Sequence, residues 1–341
     1  MQRIATGTFA VGINLDGVLV HDGLPTPGVA QRFDWVAEAG LFDYVEINPP
    51  PREDFAPFLR ASERSGVPIG VMGGIFCIGP DTLATFTQLN RQAGALGCRV
   101  FNCQVFDRAS DGRPLALDEI GAFYLAALEI GTRHGCLPSL EVHVDMWLEQ
   151  FQRAELLGEW LAQRGVPLRL TIDHSHLLFK LGNPEELALS GLAGTADQGH
   201  TLLHPASAAS FYAQWLERGW IVHSHARSVQ LNGRPNPLAR RGAGADAARG
   251  RGIQYPFTAP APGTYHQAWH EAELLPWKQA LQQLLRWKAA NPASALNQVS
   301  CEFIPFADYG GAARYSIFAQ NVACAAWLRN EAQAAQLMHH S

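Results

Sequence analysis

No stretch of the chain reaches 18 uninterrupted apolar residues, which argues against a membrane-spanning helix. Its N-terminus, MQRIATGTFAVGINLDG, has no charged segment followed by a long apolar run, so no secretory signal is expected. None of the six cysteines (Cys77, Cys98, Cys103, Cys136, Cys301, Cys324) forms a CxxC pair, and a chain of 341 residues needs no staples. Free thiols and a reducing, cytoplasmic setting are the expectation. Basic residues are not in excess: 26 Lys and Arg stand against 31 Asp and Glu, a net charge of -5. Binding driven by release of phosphate counterions needs a basic face, so nucleic acid is not an expected partner. No internal repeat is present beyond the alternation described next.

Apolar residues make up 47% of the chain and charged ones 17%, ordinary for a globular protein. Short apolar, β-branched runs recur at 9–14, 43–48, 68–74, 98–106, 138–145, 167–174, 220–226 and 299–306. Helical patterns fill the gaps, at 27–39, 53–65 and 80–97 and in later stretches such as LALDEIGAFYLAALEIGTRHG, which ends on a capping glycine. Eight strand–helix pairs predict an α/β fold, a single (β/α)8 TIM barrel domain spanning 1–341. A doubly wound open sheet would carry a glycine fingerprint after its first strand, and INLDGVLVHDG is not one. Two connections, 177–204 after strand six and 227–265 after strand seven, exceed ordinary turns and are expected to form rim loops or a lid. The second contains the tract LARRGAGADAARGRG.

Core strands favour Val, Ile and Leu, yet several here carry acids or histidines in apolar surroundings. They are Glu46 in YVEIN, Glu141 in LEVHVD, Asp173 in LTIDHSH, His223 and His225 in IVHSHA, and Glu302 in SCEFIPF. A buried isolated carboxylate protonates or finds a partner. Three carboxylates and a histidine converging on one rim would repel each other unless a cation lay among them. The expectation is one divalent ion held by Glu141, Asp173, His225 and Glu302. Such oxygen-rich ligation suits Mn, Mg or Co better than structural Zn, with catalytic Zn a further candidate. Side chains alternate faces along a strand, so His223 and His225 point the same way, and His225 is nearer the rim. The same parity puts His143 at the rim beside Glu141.

This ordered set resembles the xylose isomerase-like barrel superfamily, which includes sugar isomerases, ketose 3-epimerases and endonuclease IV-type enzymes. In the epimerase branch a metal is held by Glu, Asp, His and Glu on strands five to eight, and Glu141, Asp173, His225 and Glu302 stand at those places. The resemblance implies a carbohydrate substrate, isomerase or epimerase chemistry with Glu141 and Glu302 as acid and base, and a homo-oligomer. It also implies a substrate contact from a His three residues after the sixth-strand Asp, here His176. The branch pattern expects an Arg at position 231, which is Leu, and Arg227 or Arg234 is the expected substitute. His143 is a candidate catalytic residue or a packing neighbour of the metal, Glu46 a candidate substrate contact or an ion-pair partner inside the barrel, and Trp147, Phe179 and Tyr255 candidates to close over the sugar or to pack in the core or on the surface.

The same metal would also serve a lyase acting on 3-oxo-glycosides, with His143 as base. Release of an aglycone distinguishes that reading from isomerisation. A third reading is a non-catalytic sugar- or metal-binding barrel. The endonuclease branch needs further histidines on early strands, whereas strand three ends in VMGGIF and strand four offers Asn102 and Gln104. Arginines 234, 240, 241, 249 and 251 favour a phosphate, but a solvated lid accounts for them better.

Overall fold

The computed structural model describes residues 9–48, 54–192, 196–244 and 247–340. Its strands are β1 (Ala10–Asn14), β2 (Tyr44–Ile47), β3 (Ile69–Phe76), β4 (Val100–Val105), β5 (Leu137–Val142), β6 (Leu170–Asp173), β7 (Ile221–Ala226), β8 (Asn236–Arg241), β9 (Ala248–Gly250) and β10 (Gln298–Cys301). Eight of them close a barrel in the order β1-β10-β7-β6-β5-β4-β3-β2. Every neighbouring pair in it is parallel. Each of the eight apolar runs supplies one barrel strand. The last run is shorter than its pattern suggests, because β10 stops at Cys301 and leaves Glu302 just beyond it.

Helices between the strands bury their apolar faces against the barrel wall. Leu117–His134 is a clear case, burying Ile120, Phe123, Tyr124, Ala127 and Ile130. Asp118 and Glu119 lie in its first turn and Arg133 and His134 in its last, each complementing the helix dipole. Gly135, at φ 76°, ends it in the left-handed conformation that glycine adopts without strain. The expected helix at 53–65 is observed over Ala56–Ser65, position 53 lying outside the described residues. Among the described residues no helix is long and apolar enough to cross a membrane. The N-terminal residues 1–8 of the signal reading lie outside the described set. All six cysteines are free, and only Cys77 is exposed.

The two long connections are more ordered than their composition suggests. The first holds short helices, Pro184–Leu189 and Ala196–Leu203, with 193–195 outside the described residues. In the second, β8 and β9 pair as an antiparallel hairpin beside the barrel, with 245–246 outside the described residues.

Polar residues occupy the barrel interior where Val, Ile and Leu are usual. Hydrogen bonds run from wall to wall: Ser139 Oγ to Thr171 Oγ1 at 2.6 Å, Tyr44 Oη to Ser300 Oγ at 3.0 Å, and Asn14 Nδ2 to Glu302 Oε1 at 2.9 Å. The Tyr44 ring takes space that two glycines leave open. A Cβ on Gly12 would lie 2.2 Å from that ring, and one on Gly70 2.6 Å.

Candidate metal centre

His225, on β7, is registered with Asp173 of β6 on one side and Ser300 of β10 on the other. Its Nδ1 lies 3.1 Å from Glu141 Oε1 and 3.0 Å from Glu302 Oε2. Its Nε2 lies 3.0 Å from Glu46 Oε1, and the other oxygen of Glu46 is 3.2 Å from His223 Nε2. Both histidines and Glu46 are fully buried. Burial opposes charge on His225, but Glu302, Glu46 and Glu141 together overcome it and hold its pKa well above the ordinary value. Burial would likewise raise Glu141, yet His225 above all brings that carboxyl down to about 2.

The donor set fits a divalent ion. Nδ1 can carry one proton at most, yet two carboxylate oxygens face it at 3.0–3.1 Å. Cis ligands of an octahedral ion with bonds of about 2.1 Å stand about 3.0 Å apart. Amides hold the remaining oxygens: Asn102 and Gln104 donate to Glu141 Oε2 at 2.6 and 2.8 Å, and Asn14 donates to Glu302 Oε1. One oxygen from each glutamate is thereby left toward Nδ1. On the far side of the imidazole, Glu46 is positioned to accept from Nε2–H, which fixes ring orientation and leaves Nδ1 as the ligating atom. Of the two roles open to Glu46, the structure shows ion pairing inside the barrel, with both oxygens engaged by histidines.

Asp173 stands apart from this trio. Its Oδ1 accepts from the Ser175 N–H at 2.8 Å, and its Oδ2 accepts from Arg227 Nη2. Arg227, expected on substrate, is 1% exposed and its donors are directed to protein. Nε reaches Ser175 Oγ at 3.2 Å, Nη1 reaches the Glu302 carbonyl at 3.4 Å, and Nη2 also faces His176 Nε2 at 3.0 Å. A guanidinium only donates, so His176 Nε2 accepts. The neutral ring then carries its proton on Nδ1, a buried atom with no hydrogen-bond partner among the described residues. Burial above all keeps the His176 pKa well below the usual value, and the Arg227 charge acts in the same direction.

The same reasoning fixes His143, which lies one residue past β5. Its Nδ1 is 2.5 Å from the Val144 carbonyl and must donate there. Nε2 is then free to accept from the Tyr309 hydroxyl at 2.9 Å. The His143 and His176 rings lie 4.0 Å apart, and the Arg227 guanidinium sits 3.9 Å from the Tyr309 ring centroid. Tyr309 was not singled out by its sequence. It follows Glu302 by seven residues in FADYG, with no periodicity to mark it.

The three aromatics take the packing alternative. Trp147, Phe179 and Tyr255 are 3%, 1% and 1% exposed and pack in the core rather than over an open pocket. Trp147 Nε1 donates to the Leu115 carbonyl at 3.3 Å, and Tyr255 Oη accepts from the His270 N–H at 2.7 Å. The arginine-rich tract also differs from a solvated lid. Arg234, Arg240 and Arg249 are exposed, but Arg251 is buried. Arg251 Nε donates to Glu186 Oε1 at 2.9 Å, Nη2 to Glu149 Oε1 at 2.8 Å, and Nη1 to Asp145 Oδ1 at 3.3 Å. Lys180 Nζ joins Glu149 at 2.7 Å, while Arg241 pairs with Asp145 and with Asp308. This network latches the β8–β9 hairpin to the loops after β5, β6 and β10.

No family model matches the chain, and no curated protein matches it in sequence. Solved structures do match in fold. A xylose isomerase-like TIM barrel protein from Mycobacterium smegmatis in complex with magnesium superposes with a TM-score of 0.56 at 14% identity, over 98% of this chain and 100% of that one. An L-ribulose 3-epimerase gives 0.54 at 12% identity, over 97% of each chain. A xylose isomerase domain-containing protein from Salmonella typhimurium gives 0.52 at 14% identity, over 99% and 100%. With its closed eight-stranded parallel barrel, the chain has the fold of the xylose isomerase-like TIM barrels.

Proposed function

We propose that the protein is a divalent-metal-dependent isomerase or epimerase acting on a keto-sugar or related polyol, built as one barrel domain and working in a reducing, cytoplasmic compartment. The observation that carries this reading is the pair of glutamate oxygens facing one imidazole nitrogen at 3.0–3.1 Å. A magnesium-bound barrel and a sugar epimerase among the structural neighbours support it. Glu141, His225 and Glu302 would hold the ion, which when bound would polarise the substrate carbonyl and acidify the neighbouring C–H. Glu141, on β5, and Glu302, just past the end of β10, flank the site. One takes a proton from carbon while the other, protonated beforehand, gives its own proton to the opposite face, and exchange with solvent resets the pair. His176 Nδ1–H, without a hydrogen-bond partner among the described residues, donates to a substrate oxygen. The amides of Asn14, Asn102 and Gln104 keep the glutamates aligned, and the hairpin latched over the rim limits water.

Glu302→Gln tests the assignment on a keto-sugar panel. Turnover is expected to fall by at least about 100-fold, and full turnover with metal still bound would refute the acid–base role. One observation favours a second reading: His143 Nε2 accepts from Tyr309, so a basic atom lies beside Glu141. A lyase on 3-oxo-glycosides would use it to remove the proton before elimination. Mass spectrometry of products separates the two, since isomerisation conserves mass and elimination releases an aglycone.

A further inference from the structure

The carboxylates of Glu141, Asp173 and Glu302 all lie near His225, but they are not equivalent. We propose that the metal centre is carried by Glu141, His225 and Glu302 alone, and that Asp173 is the fixed counter-ion of Arg227 rather than a fourth ligand. This rests on the metal reading above and refines it.

The donor atoms of Glu141, His225 and Glu302 all lie within 4.8 Å of one another, and Asp173 belongs to none of the candidate ligand groups among the described residues. Both its oxygens are engaged, by the Ser175 N–H and by Arg227. Arg227 cannot leave easily. Its guanidinium keeps its proton in any protein environment, is fully buried, and is capped by the Tyr309 ring. Swinging Asp173 onto a metal would strand that cation without its nearest carboxylate. Charge accounting agrees. An ion of charge +2 balances Glu141 and Glu302, Arg227 balances Asp173, and Glu46 is left facing His223 and His225. The arginine also lies 3.4 Å from Glu302 Oε2, so it draws on the same electrostatic field as the ion.

Two consequences follow. An octahedral ion with three single-atom protein ligands keeps three positions open, enough for two substrate oxygens and a water. Arg227 becomes a positioning residue: it fixes Asp173, and through Nη2 it sets the His176 tautomer that presents Nδ1–H.

The test is Mn2+ titration of chelator-treated full-length protein, with free Mn2+ read by electron paramagnetic resonance. Asp173→Asn, which leaves the Arg227 charge uncompensated near Glu302, should lose less than about tenfold, whereas Glu302→Gln and His225→Asn should each lose about 100-fold or more. Arg227→Met should release Asp173 as a new ligand and tighten binding by about tenfold or more. Loss in Asp173→Asn as large as in Glu302→Gln would overturn the proposal, as would unchanged or weaker binding in Arg227→Met. Should either single variant fail to fold by circular dichroism, the double variant D173N/R227M, which removes both charges together, decides. Near wild-type affinity there supports the proposal, and a loss of about 100-fold refutes it. If the double variant does not fold either, Arg227→Lys decides, since it keeps the cation. An affinity near wild type that Asp173→Asn on that background lowers by less than about tenfold supports the proposal, and any other result counts against it. Wild-type protein that takes up no Mn2+ would sink the metal reading itself, a separate result.

Discussion

Arg251 is the central cation of the latch, and Arg251→Met removes it with little change in bulk. Burial would raise the Glu149 carboxyl, but Lys180 first and Arg251 second bring it from an ordinary 4.5 down to about 2. At neutral pH that difference corresponds to about 3 kcal/mol of favourable interaction. Part of it belongs to Arg251, whose charge and hydrogen bond both act on this carboxyl. Glu186 and Asp145 lose the same partner, and breaking a buried pair on one side costs about 3–5 kcal/mol in other proteins. We expect Arg251→Met to destabilise by about 2–4 kcal/mol at pH 7, measured by urea unfolding. The pH dependence is set by sign. A carboxyl with a depressed folded pKa contributes fully above its unfolded value near 4.5, and the contribution fades as pH falls toward 2. The gap between wild type and variant should therefore shrink by half or more at pH 3. A loss below about 0.5 kcal/mol at pH 7, or an equal loss at both pH values, would refute the latch.

Other outcomes follow from the centre itself. His225 in the metal-free protein has a pKa held well above 6.5, so an incoming ion must displace its proton. Mn2+ affinity should then rise with pH through neutrality, with one proton released per ion in calorimetry across several buffers; affinity that ignores pH would contradict this. Tyr309→Phe keeps the ring against Arg227 but removes the hydroxyl that donates to His143. Its stability should change by about 1 kcal/mol while kcat falls by about tenfold or more; an unchanged kcat would exclude Tyr309 from the chemistry.

Much of this was legible in the sequence, for a physical reason. Strand–helix alternation leaves few closed topologies, and charged residues inside β-branched runs are so costly that they advertise a site. Glu141, His225 and Glu302 were visible in that way. The partner of Asp173 was not, because Arg227 lies 54 residues away and only the β6–β7 register brings the two together. Glu46 stayed open between substrate contact and internal ion pairing because strand parity gives the face of a residue and not its depth. Trp147, Phe179 and Tyr255 stayed open between sugar contact and packing because spacing cannot distinguish an open pocket from a packed one. Arg241 and Arg251 looked solvated in a glycine-rich tract, yet their carboxylate partners come from distant loops.

The ring of Tyr44, wedged where Gly12 and Gly70 leave room, makes the barrel a cul-de-sac. With that floor closed, whatever reaches His225 arrives by the same mouth through which product must later depart. Traffic in both directions then answers to one doorway, beside which Arg241 and Arg251 are pinned to the surrounding loops.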